Sequence, residues 1–216
     1  MKTLSFRCAL FAAFSVAALA APVVLTFEGL RDQEAVNGFY NGGTGGAGST
    51  GTNYGIEFVS GSLAIIDSDA GGTGNFGGEP SPSTILFFLS GTAVMNYAAG
   101  FDTGFSFFYS AINNPAVVNV YSGLNLTGSL LATINLPITA SDGGDPTGSF
   151  SPFVPIGVAF AGTAMSVDFG GTANQVGFDN VTFGSATAGG DVPEPATMLL
   201  LTGGLGAIFA LRRRSA

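Results

Sequence analysis

Few side chains in this 216-residue chain could do covalent chemistry. It has no His and no Trp, and its one Cys is Cys8. Five of the six bases lie at the two ends: Lys2, Arg7, Arg212, Arg213 and Arg214. Between Ala21 and Asp191 a single base, Arg31, stands against 13 acids, a net charge of −12. That body has no His base, no thiol nucleophile, no lysine for a Schiff base and no Cys/His set for zinc. It also has no basic patch to neutralise phosphates, so nucleic acid is excluded as a partner. What remains is the chemistry of carboxylates and of neutral polar groups.

Carboxylates make calcium the one reasonable cofactor, because Ca²⁺ takes oxygen ligands. Asp67-Ser68-Asp69-Ala70-Gly71-Gly72 opens like an EF-type loop. It departs from that pattern further on: the third oxygen position is Gly71, and the closing acid, Glu79, comes one residue late. A glycosidase needs two carboxylates flanking a bond, one with a raised pKa. No pair of acids here is set apart by its surroundings, so an enzyme is not expected and a polysaccharide hydrolase ranks third among the readings.

Sugar binding needs flat apolar rings beside hydrogen-bonding groups. Tyr40, Tyr54 and Phe76 lie in or next to two Gly-rich loops, residues 41–53 and 70–78, close in sequence to Asn37, Asn41, Asn53 and Asn75. These three rings are the candidate ligand contacts. Both loops contain the spacing G-x-G-x-x-G, but no helical pattern follows either, so a dinucleotide site is excluded. The loops read as mobile or Ω-type connections. The sequons at Asn125 and Asn180 are of a kind that arises by chance at this Thr content.

The elements that must position these groups are strands. Apolar runs of five to eight residues are bounded by Gly, Asn, Asp and Pro. They place strands at 23–28, 54–59, 62–67, 83–89, 93–97, 104–110, 116–121, 129–136, 154–160, 164–169 and 175–183. Period-two alternation sets Phe105, Phe107 and Tyr109 on one face. In the last strand it sets Phe178 with Val176, and Phe183 on the opposite face with Asp179. Such spacing with Gly-rich turns predicts an all-β, single β-sandwich of jelly-roll type.

Both ends read as membrane-directed addresses. Lys2 and Arg7 precede an apolar run from Cys8 to Leu19, and Ala18-Leu19-Ala20 is a small-x-small site. This is the pattern of a secretory signal peptide, cut by signal peptidase after Ala20; an uncleaved anchor helix is the alternative. At the other end Val192-Pro193-Glu194-Pro195 is followed by 16 uncharged residues, 196–211. As a transmembrane helix they span about 24 Å, slightly short of a bilayer core. Arg212, Arg213 and Arg214 close it on the cytoplasmic side by the positive-inside tendency.

This tripartite tail resembles the PEP-CTERM sorting signal of Gram-negative bacteria. The resemblance implies recognition by exosortase, removal of the tail near Pro193, Glu194 and Pro195, and delivery to the cell surface or extracellular matrix. The closing segment Gly171 to Ser185 resembles the last strand of galactose-binding-like and lectin-like sandwiches. That likeness implies neighbouring first and last strands with a structural calcium near their junction, and so pairs Glu28 with Asp179. The expected organisation is a signal peptide (1–20), a β-sandwich (21–186), a linker (187–191) and a sorting signal (192–214). The expected function is that of an exported, non-catalytic surface or biofilm-matrix protein associated with exopolysaccharide. The alternative is a lectin-like carbohydrate-binding module with structural calcium.

Overall fold

The computed structural model describes residues 22–59, 61–139, 141 and 148–190. Ala18, Ala20 and the tail residues from Pro193 to Arg214 lie outside the described residues. Among the described residues there are eleven strands: β1 (Val23–Leu25), β2 (Ile56–Val59), β3 (Leu63–Ile66), β4 (Thr84–Phe87), β5 (Ala93–Phe101), β6 (Gly104–Ser110), β7 (Ala116–Tyr121), β8 (Leu130–Leu136), β9 (Val154–Ala159), β10 (Ala164–Gly170) and β11 (Gly177–Phe183). They correspond one for one to the eleven apolar runs. Two ends differ by three residues or more: β1 stops early at Leu25 and β5 runs on to Phe101. The early stop has a local cause. Phe27 turns to φ 62°, and its N–H donates to the Tyr40 hydroxyl at 2.7 Å instead of to a ladder.

The strands form two antiparallel sheets. One has the order β3-β4-β11-β6-β9, with β1 also paired to β11; the other has the order β2-β5-β10-β7-β8. Since β6 takes one edge of β11, β4 and β1 share the other, β4 at Phe178 and β1 at Val181 to Phe183. The two inner faces meet in an aromatic core. Phe105, Phe107 and Phe178 from the first sheet surround Phe169 from the second, with ring centroids 5.1 to 6.2 Å apart. Such ring pairs contribute about 1 kcal/mol each beyond area burial.

Simple alternation fails in β11. Phe178 pairs with Tyr109 and Phe183 with Phe105, and all four rings face the core although Phe178 and Phe183 are an odd number apart. A bulge between Asp179 and Thr182 absorbs the extra residue, with Asn180 at φ 47°. Asn is among the few side chains that tolerate this conformation. Asn180→Gly is therefore expected to leave stability within about 0.5 kcal/mol, and Asn180→Ala to lower it by about 1 kcal/mol, read from urea melts.

The Gly-rich loops are built rather than loose. A Cβ at Gly72 would lie 2.1 Å from the Ile66 carbonyl oxygen, and one at Gly74 would lie 2.2 Å from the Phe76 ring. The first loop is knotted around Glu34. Its buried carboxylate accepts from the N–H groups of Arg31, Ala47 and Ser49 and from the Ser49 hydroxyl. Burial alone would raise the Glu34 pKa, but these donors outweigh it and the net shift is downward.

Candidate functional site

Outside the main core, the outer face of the first sheet carries a second apolar cluster of Phe76, Ile85 and Phe153, with Ile65, Phe108 and Phe150 against it. Ile65 pairs with Ile85 and Leu63 with Phe87 across β3 and β4, alternating with the inward pair Ala64–Leu86. Of these outward side chains Ile65, Ile85 and Phe87, with Phe76, floor a pocket of about 420 Å³. That lies toward the lower end of the roughly 300–1,000 Å³ typical of small-molecule sites. Gly177 lines it too, and a Cβ there would meet Ile85 Cδ1 at 2.6 Å. The rim consists of Thr73 and Asn75 from the second Gly-rich loop, Asn113, Ser149, and the Asn174–Gln175 turn. Among the described residues no lining residue is charged.

The hydrogen bonds fix the polarity of this rim atom by atom. Asn75 Oδ1 accepts from the Ser149 N–H at 2.9 Å, so the Asn75 amide offers its two N–H groups outward. Thr73 Oγ1 donates its one proton to Asp32 Oδ2 at 2.8 Å, so toward a ligand it is an acceptor. Gln175 Nε2 donates to the Asn174 carbonyl at 2.9 Å, while Gln175 Oε1 accepts from Asn113 and Asn114. That leaves Gln175 one N–H to donate. A ligand must therefore meet donors and acceptors at neighbouring positions, which hydroxyl groups do because each is both.

The three predicted rings separate. Phe76 lines the pocket, packed edge-on against Phe153 at 6.1 Å. Tyr40 is a core residue, 5% exposed, with its ring edge-on to Phe27 and Phe39. Burial pushes its phenol well above the usual range. Tyr54 is exposed and leans on the Tyr40 ring, away from the pocket lining. Asn113, Asn174, Gln175, Thr73 and Ser149 gave no sequence signal of their own, since such residues equally serve turns.

Glu28 and Asp179 do come together where β1 meets β11, and their charges repel. They grip the segment Pro80-Ser81-Pro82-Ser83-Thr84. The two prolines have no N–H, and the three remaining N–H groups all turn to these carboxylates. Ser81 N donates to Asp179 Oδ2 at 2.9 Å, and Ser83 N and Thr84 N donate to Glu28 Oε1 at 2.9 and 2.8 Å. The Ser81 hydroxyl and the Asn180 N–H fill the other Asp179 oxygen at 2.7 and 2.6 Å. Two carboxylates whose oxygens all face donors do not fit calcium, which needs roughly six to eight oxygens. Asp67 is buried and Asp69 exposed, at a 3-10 turn (Ser68–Ala70). Among the described residues no three His, Cys, Asp or Glu side chains gather around one point.

Residues 191–214 match the PEP-CTERM protein-sorting motif. The motif identifies an exported protein processed by exosortase. No curated protein matches the chain. Among solved structures, the chain is similar to a carbohydrate-binding module from Cellvibrio mixtus lichenase 5A in complex with cellotriose. Identity is 13%, TM-score 0.36, and coverage 58% of this chain and 88% of that one. A family 6 carbohydrate-binding module shows 14% identity and TM-score 0.34, over 61% of this chain and 83% of its own. The xylohexaose-bound xylanase 10B modules of Clostridium thermocellum show 12% identity and TM-score 0.37, over 75% of this chain and 30% of theirs.

Proposed function

We propose that this exported protein is a non-catalytic saccharide-binding protein of the Gram-negative cell surface or extracellular matrix. Signal peptidase removes residues 1–20, exosortase removes the tail near Pro193–Pro195, and the sandwich between them holds part of an extracellular polysaccharide. One observation carries the reading: an uncharged rim of fixed, alternating donors and acceptors over an apolar floor of Ile65, Phe76, Ile85 and Phe87. Sugars present that same pairing of hydroxyl groups with apolar C–H faces. The non-catalytic reading is supported by Asp179. Its carboxyl is pushed up to about 6, into the range of a general acid, yet it is fully buried beneath Ser81 and out of reach of substrate.

The test is depletion of the purified protein by insoluble neutral polysaccharides. The wild type is expected to be retained. Asn75→Ala and Asn174→Ala should each weaken binding about tenfold, the effect of losing one or two hydrogen bonds. Asn174 sits at φ 58°, so its alanine variant should also lose about 1 kcal/mol of stability, and binding is compared at a temperature well below the melting point of each variant. Retention of both variants at wild-type affinity would place binding elsewhere. Release of reducing ends from any polysaccharide by the pure protein would overturn the non-catalytic reading.

A further inference from the structure

The pocket is electrically one-sided, and the cause sits just behind its rim. Asp32 accepts the Thr73 proton at 2.8 Å through Oδ2 and the Ile66 N–H at 2.9 Å through Oδ1. Gln33 Nε2 donates to the same Thr73 hydroxyl at 2.9 Å. Thr73 thus presents only its one remaining lone pair to the pocket, backed by the Asp32 carboxylate one hydrogen bond away. Among the described residues no cation answers that charge: the lining holds no base, and Arg31, the sole base between residues 21 and 191, is solvent-exposed. A carboxylate or sulfate on a ligand offers only acceptors. It would meet the Thr73 lone pair without a donor and the Asp32 charge without a counterion.

We infer that the pocket selects its saccharide by charge, admitting neutral sugars and rejecting uronates and sulfated sugars, with Asp32 as the positioning residue that enforces the choice through Thr73. This rests on the saccharide-binding reading above. Asp32→Asn should reverse the contact. Its amide nitrogen would donate to Thr73 Oγ1 and turn the Thr73 proton toward the ligand, while its carbonyl still accepts from Ile66. Selectivity would then weaken without loss of the sugar-shaped site.

The experiment is calorimetric titration of the purified full chain, held in a zwitterionic detergent without a sugar headgroup. The ligands are neutral gluco- and manno-oligosaccharides and, separately, oligogalacturonate and oligoalginate of matched length. The wild type should bind a neutral series at least about tenfold more tightly than either uronate. Asp32→Asn should close that gap to within about threefold and change neutral affinity little. Thr73→Val should weaken neutral binding and narrow the gap without closing it, because the Asp32 charge stays but no longer acts through the hydroxyl. Should Asp32→Asn fail to fold, the wild type gives the same answer: the gap should narrow between 0.01 and 0.5 M salt as the Debye length shrinks. Equal binding of neutral and uronate ligands would overturn charge selection while leaving saccharide binding intact. An unchanged gap in Asp32→Asn, or a salt-independent one, would remove Asp32 from the account. Absence of any saccharide binding would overturn both readings together.

Discussion

Phe178→Ala is expected to lower the unfolding free energy by about 4 kcal/mol, the cost of emptying a large aromatic site that cannot collapse. Phe178 is fully buried. Its ring lies edge-on to Phe107 at 5.5 Å within its own sheet and to Phe169 at 5.1 Å across the sandwich. It thus joins the two layers, and the strands on either side restrict how far neighbours can close in. It also follows Gly177 of the pocket wall, so the loss should loosen the floor beneath the rim. Phe178→Leu, which retains most of the buried volume, should cost less than half as much. Guanidinium unfolding at one pH checks both. A loss under about 1 kcal/mol for the alanine variant would mean that this strand is not packed as described.

The second large effect is a dependence of stability on pH that runs opposite to the common pattern for paired or hydrogen-bonded carboxylates. Desolvation by burial pushes the Asp179 carboxyl from 3.8 up to about 6. The donors Ser81 and Asn180 oppose the shift, and the negative charge of Glu28 adds to it. A carboxyl whose folded pKa lies above its unfolded value binds more protons in the folded state between those two values. Stability from this group is therefore full below about pH 3.8 and is lost as pH rises to about 6, by about 3 kcal/mol. Asp179→Asn removes the titration and shares every other acid with the wild type. The difference in stability between the two should move by about 2.4 kcal/mol in favour of the variant from pH 4 to pH 7. Parallel curves from urea melts across that range would contradict it.

The framework of the fold was legible because strand patterning depends on residues close in sequence. Phe105, Phe107 and Tyr109 alternate cleanly and face the core as expected. Phe183 was assigned the wrong face because the bulge at Asn180 depends on one residue in an unusual backbone state, and an Asn in a strand looks the same with or without it. Tyr40 appears available in the sequence. Its burial comes from packing against Phe27 and Phe39, and its hydroxyl is spent on a backbone N–H that β1 leaves free. The likeness to lectin-like sandwiches brings Glu28 near Asp179 as calcium ligands, whereas most of the donors that occupy them come from a segment more than 50 residues from Glu28 and 98 from Asp179. The pocket was half legible. Phe76 was singled out by its ring, whereas Asn113, Asn174 and Gln175 converge on it only through tertiary structure.

The most direct test of the central claim is an NMR titration of the protein with a neutral oligosaccharide, following the side-chain amide signals of Asn and Gln. Binding at the pocket predicts saturable shifts of Asn75, Asn113, Asn174 and Gln175, with Asn119 and Asn135 of the opposite sheet unmoved. Shifts confined to that opposite sheet, or none at any saccharide concentration, would contradict it.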